Sequence, residues 1–481
     1  MGQTCILLIR ANTLDGVNEF LSHRAVCPPL GLMYLAAVLR ERRPHDYRLR
    51  ILDPGLEGLG VGDLGRAIAE EKPALIGISA LAVELPAVEA ILDEASRVAP
   101  GVPIVVGGPC SQTRPRDLAA RPQVACCVQG EGEETFAEIV PRLLAGGSVA
   151  GTPGTFARGP DGTVVDGGPR APIADLDAMP MAAWDLIDLP RYSQKLSMNY
   201  GPLAGRPYAP VFTSRGCPWR CSYCHNLFGK RVRSRSPENV LAEMAYLVGR
   251  HGVREFHFYD DIFNIDVGRA TRIVDGIAER DWNVKLAFPN GVRSDLLTPE
   301  FLRSCRRAGT YLMCFAIETA TPRLQKMIHK NLDLEKAAAA IRVARDEGII
   351  PLGFFMLGFP GETAAELRAT INWACRSSLL KAFFFAVTPY EGTPIADAIR
   401  EHNPGFKIDP ATSYHFGRSY YEHETGVNIY WHQAEAYIRF YLNPIRFATF
   451  FYRYPGKLTF LRNFLRGLLY LSPGLRRCLR A

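Results

Sequence analysis

The stretch Pro210-Val211-Phe212-Thr213-Ser214-Arg215-Gly216-Cys217-Pro218-Trp219-Arg220-Cys221-Ser222-Tyr223-Cys224 decides how this chain is read. A short apolar strand runs into a loop carrying three cysteines, with three residues between the first two and two between the last two. A structural zinc site needs four protein ligands, usually as two separated pairs. Three closely spaced thiolates in one loop instead suit a cubane iron–sulfur cluster with one iron left open to a ligand, which makes the centre catalytic rather than purely electron-carrying. The loop follows a strand, so it lies at a carboxyl end, the face on which β/α barrels do their chemistry. Two other readings stay open: an iron–sulfur redox or sensor protein, and a zinc site completed by a fourth ligand such as His225.

Downstream, apolar runs alternate with helical patterns. Helix 237–250 precedes strand 256–259, helix 267–280 precedes strand 284–288, and helix 299–308 precedes strand 311–317. Helix 333–347 then leads to strand 353–357, and helix 363–376 to strand 383–387. With the strand before the cysteines this makes six strands, an open β/α barrel. Polar groups recur at the carboxyl ends: Asp260-Asp261, Asn290, Arg293, Glu318, Gly358-Phe359-Pro360-Gly361-Glu362 and Tyr390. Asp260 and Asp261 have a plain alternative role, binding backbone amides of the turn or capping the next helix. Glu318 follows the apolar run Cys314-Phe315-Ala316-Ile317 and is expected to be partly buried, where a carboxylate needs a partner. Arg293 has two candidate partners, Glu318 or an adjacent aspartate.

Upstream, strands are expected at 6–9, 49–52, 75–79, 104–106 and 125–128, with helices at 29–40, 62–71, 87–98 and 133–145. Pro29 opens the first helix. The alternation predicts a doubly wound, Rossmann-like parallel sheet whose ligands bind beyond the strands' carboxyl ends. Those ends carry Ser79-Ala80, Gly107-Gly108-Pro109 and Gly130-Glu131-Gly132-Glu133, and glycine there admits a bulky ligand close to the backbone. The expected division is a Rossmann-like domain over 1–150, a Gly- and Pro-rich irregular linker over 151–205, the partial barrel over 206–400, and a mainly helical region over 401–481.

These motifs, with Pro28-Pro29-Leu30-Gly31-Leu32 and Val105-Val106-Gly107-Gly108-Pro109, resemble the cobalamin-dependent radical S-adenosylmethionine (radical SAM) enzymes. That family places a cobalamin-binding domain before a radical SAM domain and includes methyltransferases and tetrapyrrole cyclases. The resemblance implies a 4Fe-4S cluster on Cys217, Cys221 and Cys224. It implies S-adenosylmethionine beside Tyr223, Asp260, Glu318 and Gly358, and cobalamin beside Ser79, Gly107, Gly108, Pro109, Cys110, Gly130 and Glu131. Asp260, Arg293 and Tyr390 are the candidates for catalytic contact. The Asp-x-His-x-x-Gly signature is absent, so no histidine ligand to cobalt is expected from this domain, and Cys110 stands where many relatives have histidine. The implied chemistry is methylation of an unactivated carbon of a small-molecule or lipid-like substrate, with cyclisation, rearrangement or oxidation as the family's alternatives, and an external electron donor.

The composition agrees with an ordinary globular chain: 481 residues, 47% hydrophobic and 22% charged. Twelve cysteines are too sparse for a disulfide scaffold at this length, and a cytoplasmic protein with reduced thiols is expected. The net charge of +7 is concentrated: from Phe451 to Ala481 there are seven basic residues and no acidic one. The segment 432–451 reads as one helix rich in Tyr and Phe. In the tail, Leu461, Phe464, Leu465 and Leu468 share a helical face flanked by Arg462 and Arg466. The region either packs on the barrel or touches a membrane surface peripherally. With one basic tail and no recognisable module, nucleic acid is not an expected partner.

Overall fold

The computed structural model describes residues 3–12, 26–195, 203–224, 227–408, 419–455 and 457. The first sheet has seven strands in the order β2-β1-β3-β4-β5-β6-β7. They are β1 (Thr4–Ala11), β2 (Tyr47–Leu52), β3 (Leu75–Ala80), β4 (Ile104–Gly107), β5 (Val124–Val128), β6 (Thr155–Arg158) and β7 (Val164–Asp166). The first five are parallel, and the order reverses direction at β1/β3, where doubly wound sheets bind their ligands. The antiparallel hairpin β6–β7 falls in the stretch whose composition reads as irregular linker. There the glycines serve turns: Gly162 has φ +81°, and a Cβ on Gly167 would stand 1.9 Å from the Thr152 carbonyl oxygen.

The second sheet has the order β15-β14-β13-β12-β11-β8 and is parallel throughout. Its strands are β8 (Tyr208–Val211), β11 (Glu255–Phe258), β12 (Lys285–Val292), β13 (Thr310–Glu318), β14 (Ile350–Leu357) and β15 (Lys381–Ala386). Between β8 and β11 lies a short antiparallel pair, β9 (Ser214–Arg215) and β10 (Arg233–Ser234). The six expected barrel strands are therefore present. Sequence sets the helix starts: Ser236, Thr298 and Thr393 each accept a hydrogen bond from the backbone N–H three residues on, and each is followed by proline. Thr363 and Glu366 cap each other reciprocally.

Period-two alternation sorts the barrel side chains. Leu286, Phe288, Met313, Phe315, Phe355 and Phe384 pack under the helices in the largest core. Ala287, Leu312, Cys314 and Leu352 face the other way and meet Phe450 and Tyr454 from the C-terminal region. The stretch expected as a single helix over 432–451 is two, Ile429–Tyr441 and Pro444–Arg453. Asn443 caps the second helix with Pro444 at its first position, and proline cannot continue the first. The expected tail helix around 461–468 lies outside the described residues.

The helix Ile429–Tyr441 also closes an edge. β15 ends the sheet and would otherwise offer unpaired backbone groups. Gln433 donates to Phe384 O at 2.8 Å, Phe384 N donates to the Tyr437 hydroxyl at 3.2 Å, and Ala382 N donates to the Tyr441 hydroxyl at 3.2 Å. Tyr441 returns a bond to Ala382 O at 3.1 Å. Residues 433, 437 and 441 are four apart, so one helix face lines up with alternate residues of the strand. Tyr441→Phe strips both Ala382 groups of their partner and is expected to cost about 1–3 kcal/mol, measured by denaturant unfolding.

Candidate functional site

The cysteine loop spans 216–232, between the paired strands β9 and β10. It begins at Gly216, whose φ of +96° and near contact (a Cβ would stand 2.4 Å from Arg231 O) require glycine. Gly216 N donates to Asp261 Oδ2 at 2.9 Å, Cys217 N to Gly229 O at 3.2 Å, and Cys224 N to Cys221 O at 3.2 Å. Ser222 is tied from two sides: its N–H reaches Ile328 O and its carbonyl accepts from Ile395 N, each at 3.0 Å. The loop is thereby held against segments that follow β13 and β15.

Asp260 and Asp261 act in this structure on the way into the loop. Asp260 is 2% exposed, and its Oδ1 accepts from Thr213 N (2.9 Å), Thr213 Oγ1 (2.8 Å) and Ser214 Oγ (2.6 Å). Its Oδ2 is buried without a hydrogen-bond partner, and burial pushes the carboxyl above its usual range. Asn290 donates to the carbonyls of Tyr259 and Asp260 at 3.2 and 3.0 Å. Arg293 pairs with Asp295 at 2.6 Å, not with Glu318. It also donates to the carbonyls of Lys330 and Asn331 and lies over the Trp219 ring at 4.7 Å. These bonds make Arg293 a brace between the cysteine loop and the segment after β13. At Tyr390 the backbone carbonyl accepts from Thr393 N and Oγ1, closing the turn into the helix Pro394–His402.

Glu318 sits at an irregularity of β13 with φ +66°, an uncommon backbone for a residue with a Cβ. Gln325 fixes the bulge by donating to Ile317 O at 2.9 Å and Thr319 O at 2.6 Å. Glu318 is 7% exposed and its partner is Lys330, with Nζ at 3.0 Å from Oε1. Lys330 also donates to the Tyr223 hydroxyl at 3.3 Å, and the Tyr223 ring meets Phe359 at 6.2 Å. Burial, reinforced by Glu318, raises the Tyr223 phenol well above its usual value. Three of the residues named from sequence, Tyr223, Glu318 and the Gly358 turn, thus lie around one small polar cluster. Lys330 is the member sequence reading missed. Gly358 has φ +88°, and Glu362 Oε2 accepts from Gly358 N and Phe359 N at 2.6 and 3.0 Å. Burial pushes Glu362 up to about 7.

An open cleft lies beside this face. Ser79, Gly107, Gly108, Pro109, Gly130 and Glu131 line it, as do Gly77 and Phe136, which the sequence did not single out. Phe212, Arg215, Leu227 and Phe228 complete its wall from the barrel side. Cys110 is elsewhere: it is fully buried in an apolar cluster, with its thiol 3.4 Å from Gly107 O.

The residues fit the implied groups to different degrees. Gly77, Gly107, Gly108, Gly130 and Gly132 line the cleft, so much of its floor is bare backbone, which suits a large flat ligand such as cobalamin. A Cβ on Gly108, at φ +84°, would stand 2.7 Å from Ser79 Oγ and 2.9 Å from Ala80 O, so a larger residue there would push the strand ends apart and deform that floor. Gly108→Val is expected to abolish cobalamin retention with iron content unchanged, measured by absorbance and iron assay after loading. Cys217, Cys221 and Cys224 share one loop and one electrostatic neighbourhood. Desolvation, then the charges of Cys221, Cys217 and Asp261, push the Cys224 thiol up to about 12. Among the described residues no three His, Cys, Asp or Glu side chains are gathered around one point as a metal site. The fit of the cluster therefore rests on donor chemistry, three thiols in a loop anchored at both ends. His225 lies outside the described residues.

Comparison with known proteins agrees with both halves. The Radical SAM superfamily pattern matches residues 211–374, and the B12 binding domain pattern matches residues 21–140. The chain is 30% identical over 476 residues to an uncharacterized methyltransferase of Pyrococcus horikoshii, covering 96% of this chain and 98% of that protein. It is 28% identical to the cytidylyl-2-hydroxyethylphosphonate methyltransferase of Streptomyces wedmorensis, over 80% of this chain and 79% of that one. The solved structure of the radical S-adenosylmethionine methyltransferase TsrM from Kitasatospora setae, with cobalamin and a 4Fe-4S cluster bound, superposes with a TM-score of 0.68. It covers 85% of this chain and 80% of that one at 20% identity, a likeness of fold.

Proposed function

The chain belongs to the radical SAM enzymes that carry a B12-binding domain, and from that premise we propose that it methylates an unactivated carbon of a small-molecule or lipid-like substrate. The observation that carries this reading is the shared wall. Phe212, Arg215, Leu227 and Phe228 line the glycine-rich cleft of the first sheet, and they flank or belong to the loop that holds Cys217, Cys221 and Cys224. A cobalamin in the cleft and a cluster on the loop would therefore serve one space.

When bound, the 4Fe-4S cluster, S-adenosylmethionine and cobalamin supply hydrogen-atom abstraction and a methyl donor. The protein's own residues position and shield. Asp261 and Asp260 fix the entry to the cysteine loop, and Arg293 with Trp219 braces its middle. The Tyr223–Lys330–Glu318 cluster offers an ammonium and a carboxylate in a nearly dry setting, where their fields act with little screening. That pair suits the carboxylate and amino groups of an amino-acid-bearing sulfonium, and Glu318 and Lys330 are assigned to it here. An external electron donor is part of the proposal.

The site of action belongs to the proposal as well: cytoplasmic, with peripheral membrane contact. No helix among the described residues is long and apolar enough to cross a membrane. Leu442, between the two C-terminal helices, and Ile445 and Tyr452, on the second, are exposed (74%, 71% and 76%). From Ala436 to Ala481 there are nine basic residues and no acidic one. Exposed apolar side chains followed by a tail rich in arginine suit an anionic lipid surface.

Anaerobically reconstituted protein, given cobalamin, a low-potential reductant and S-adenosylmethionine labelled in its methyl group, tests the reading. Label is expected in the product, with 5′-deoxyadenosine formed. Products that are cyclised or oxidised without label would replace methylation by the family's other chemistries.

A further inference from the structure

Glu131 and Glu133 belong to the glycine loop that floors the cobalamin cleft, and both are ion-paired across the domain boundary. Arg215 Nη2 donates to Glu133 Oε1 at 2.7 Å, and Arg215 Nη1 lies 3.5 Å from Glu131 Oε2. Arg233 forks onto Glu131, with Nη1 at 3.0 Å from Oε2 and Nη2 on Oε1. All four side chains are only 6–7% exposed. Arg233 also donates to Phe228 O at 3.1 Å and Ile173 O at 2.5 Å. The Arg215 guanidinium lies between the Tyr34 and Phe228 rings, at 5.5 and 5.1 Å.

The placement of the two arginines is what matters. They are partners in the β9–β10 ladder. Arg215 immediately precedes Gly216-Cys217, and Arg233 closes the same loop at its far end. The loop that carries all three cysteines is thus suspended between two side chains held by the cobalamin domain. Buried ion pairs contribute little net stability compared with apolar packing, but they fix register well. Arg215 Nη1 is buried and makes no hydrogen bond, and Arg215 is among the residues that line the cleft.

We propose that Glu131, Glu133, Arg215 and Arg233 form a clasp that fixes the cysteine loop to the cobalamin cleft, so that filling the cleft orders the loop. The four are positioning residues. The inference rests on the cobalamin reading above and deepens it.

The test is hydrogen exchange of the full-length, cluster-loaded protein with and without cobalamin. In the wild type, cobalamin is expected to slow exchange in 130–133 and also in 216–224. Arg233 does not line the cleft. In Arg233→Met, cobalamin is expected to protect 130–133 and to lose its effect on 216–224. Arg233→Lys, which keeps the charge without the fork, is expected to lose part of that effect, and it carries the test should Arg233→Met not fold. Protection of 216–224 in Arg233→Lys and Arg233→Met equal to the wild type would overturn the clasp. So would a wild type in which cobalamin protects 130–133 alone. A wild type that binds no cobalamin would instead overturn the functional reading.

Discussion

Cys221→Ala is expected to abolish both the iron–sulfur cluster and formation of 5′-deoxyadenosine while leaving cobalamin binding intact. Cys221 is the middle thiol of the loop, and with two thiolates left the loop offers too few donors for a cubane. The floor of the cobalamin cleft is built from β3, β4, β5 and the glycine loop, its barrel-side wall from Phe212, Arg215, Leu227 and Phe228, and Cys221 is not among the residues that line it. The variant should therefore show near-zero iron and sulfide, no cleavage of S-adenosylmethionine under strong reductant, and the visible band of bound cobalamin at wild-type stoichiometry. Loss of cobalamin along with the cluster would mean that the two halves are one folding unit rather than two cofactor domains.

Lys330→Met is expected to have the largest effect of any single charge removal at the barrel mouth. It leaves the Glu318 carboxylate 7% exposed, on a left-handed backbone, with its cation gone. Breaking a buried pair from one side costs about 3–5 kcal/mol, whereas removing both charges costs much less. Glu318→Gln combined with Lys330→Met should therefore recover most of the lost stability, and the double-mutant cycle measures the coupling. Binding of S-adenosylmethionine should fall in both single variants and remain low in the double. Unfolding measurements read the first effect, and the cluster's spectral response to S-adenosylmethionine reads the second.

The parts of this molecule that sequence disclosed are those whose physical cause is local. Three thiols must lie near one another in the chain to hold a cluster on one loop, so the spacing of Cys217, Cys221 and Cys224 is readable directly. The six barrel strands show as apolar runs between helical patterns, two of which open on Ser236-Pro237 and Thr298-Pro299, and the order β8, β11, β12, β13, β14, β15 follows from right-handed βα crossovers. Gly108 could be singled out because a glycine at a strand end carries its reason with it. What sequence hid depends on distant partners. Arg215 and Arg233 read as ordinary charged residues until the fold brings them to Glu131 and Glu133, 82 and 102 residues away. Lys330 follows a short helix in a polar turn, with no periodic signal marking it as the partner of Glu318. The hairpin β6–β7 was masked by glycine and proline that serve its turns. The break at Asn443-Pro444 was visible as a cap followed by proline, but continuous aromatic character on both sides read as one helix. Cys110 lies next to the Gly-Gly-Pro turn in sequence, yet the helical turn that follows β4 carries its thiol inward.

The most direct test of the central claim is the electron paramagnetic resonance spectrum of the reduced, cobalamin-free protein before and after addition of S-adenosylmethionine. An open iron on the three-cysteine loop predicts a clear change in the cluster signal when S-adenosylmethionine is added. A cluster present in full amount whose signal does not respond would contradict the assignment of this chain's chemistry.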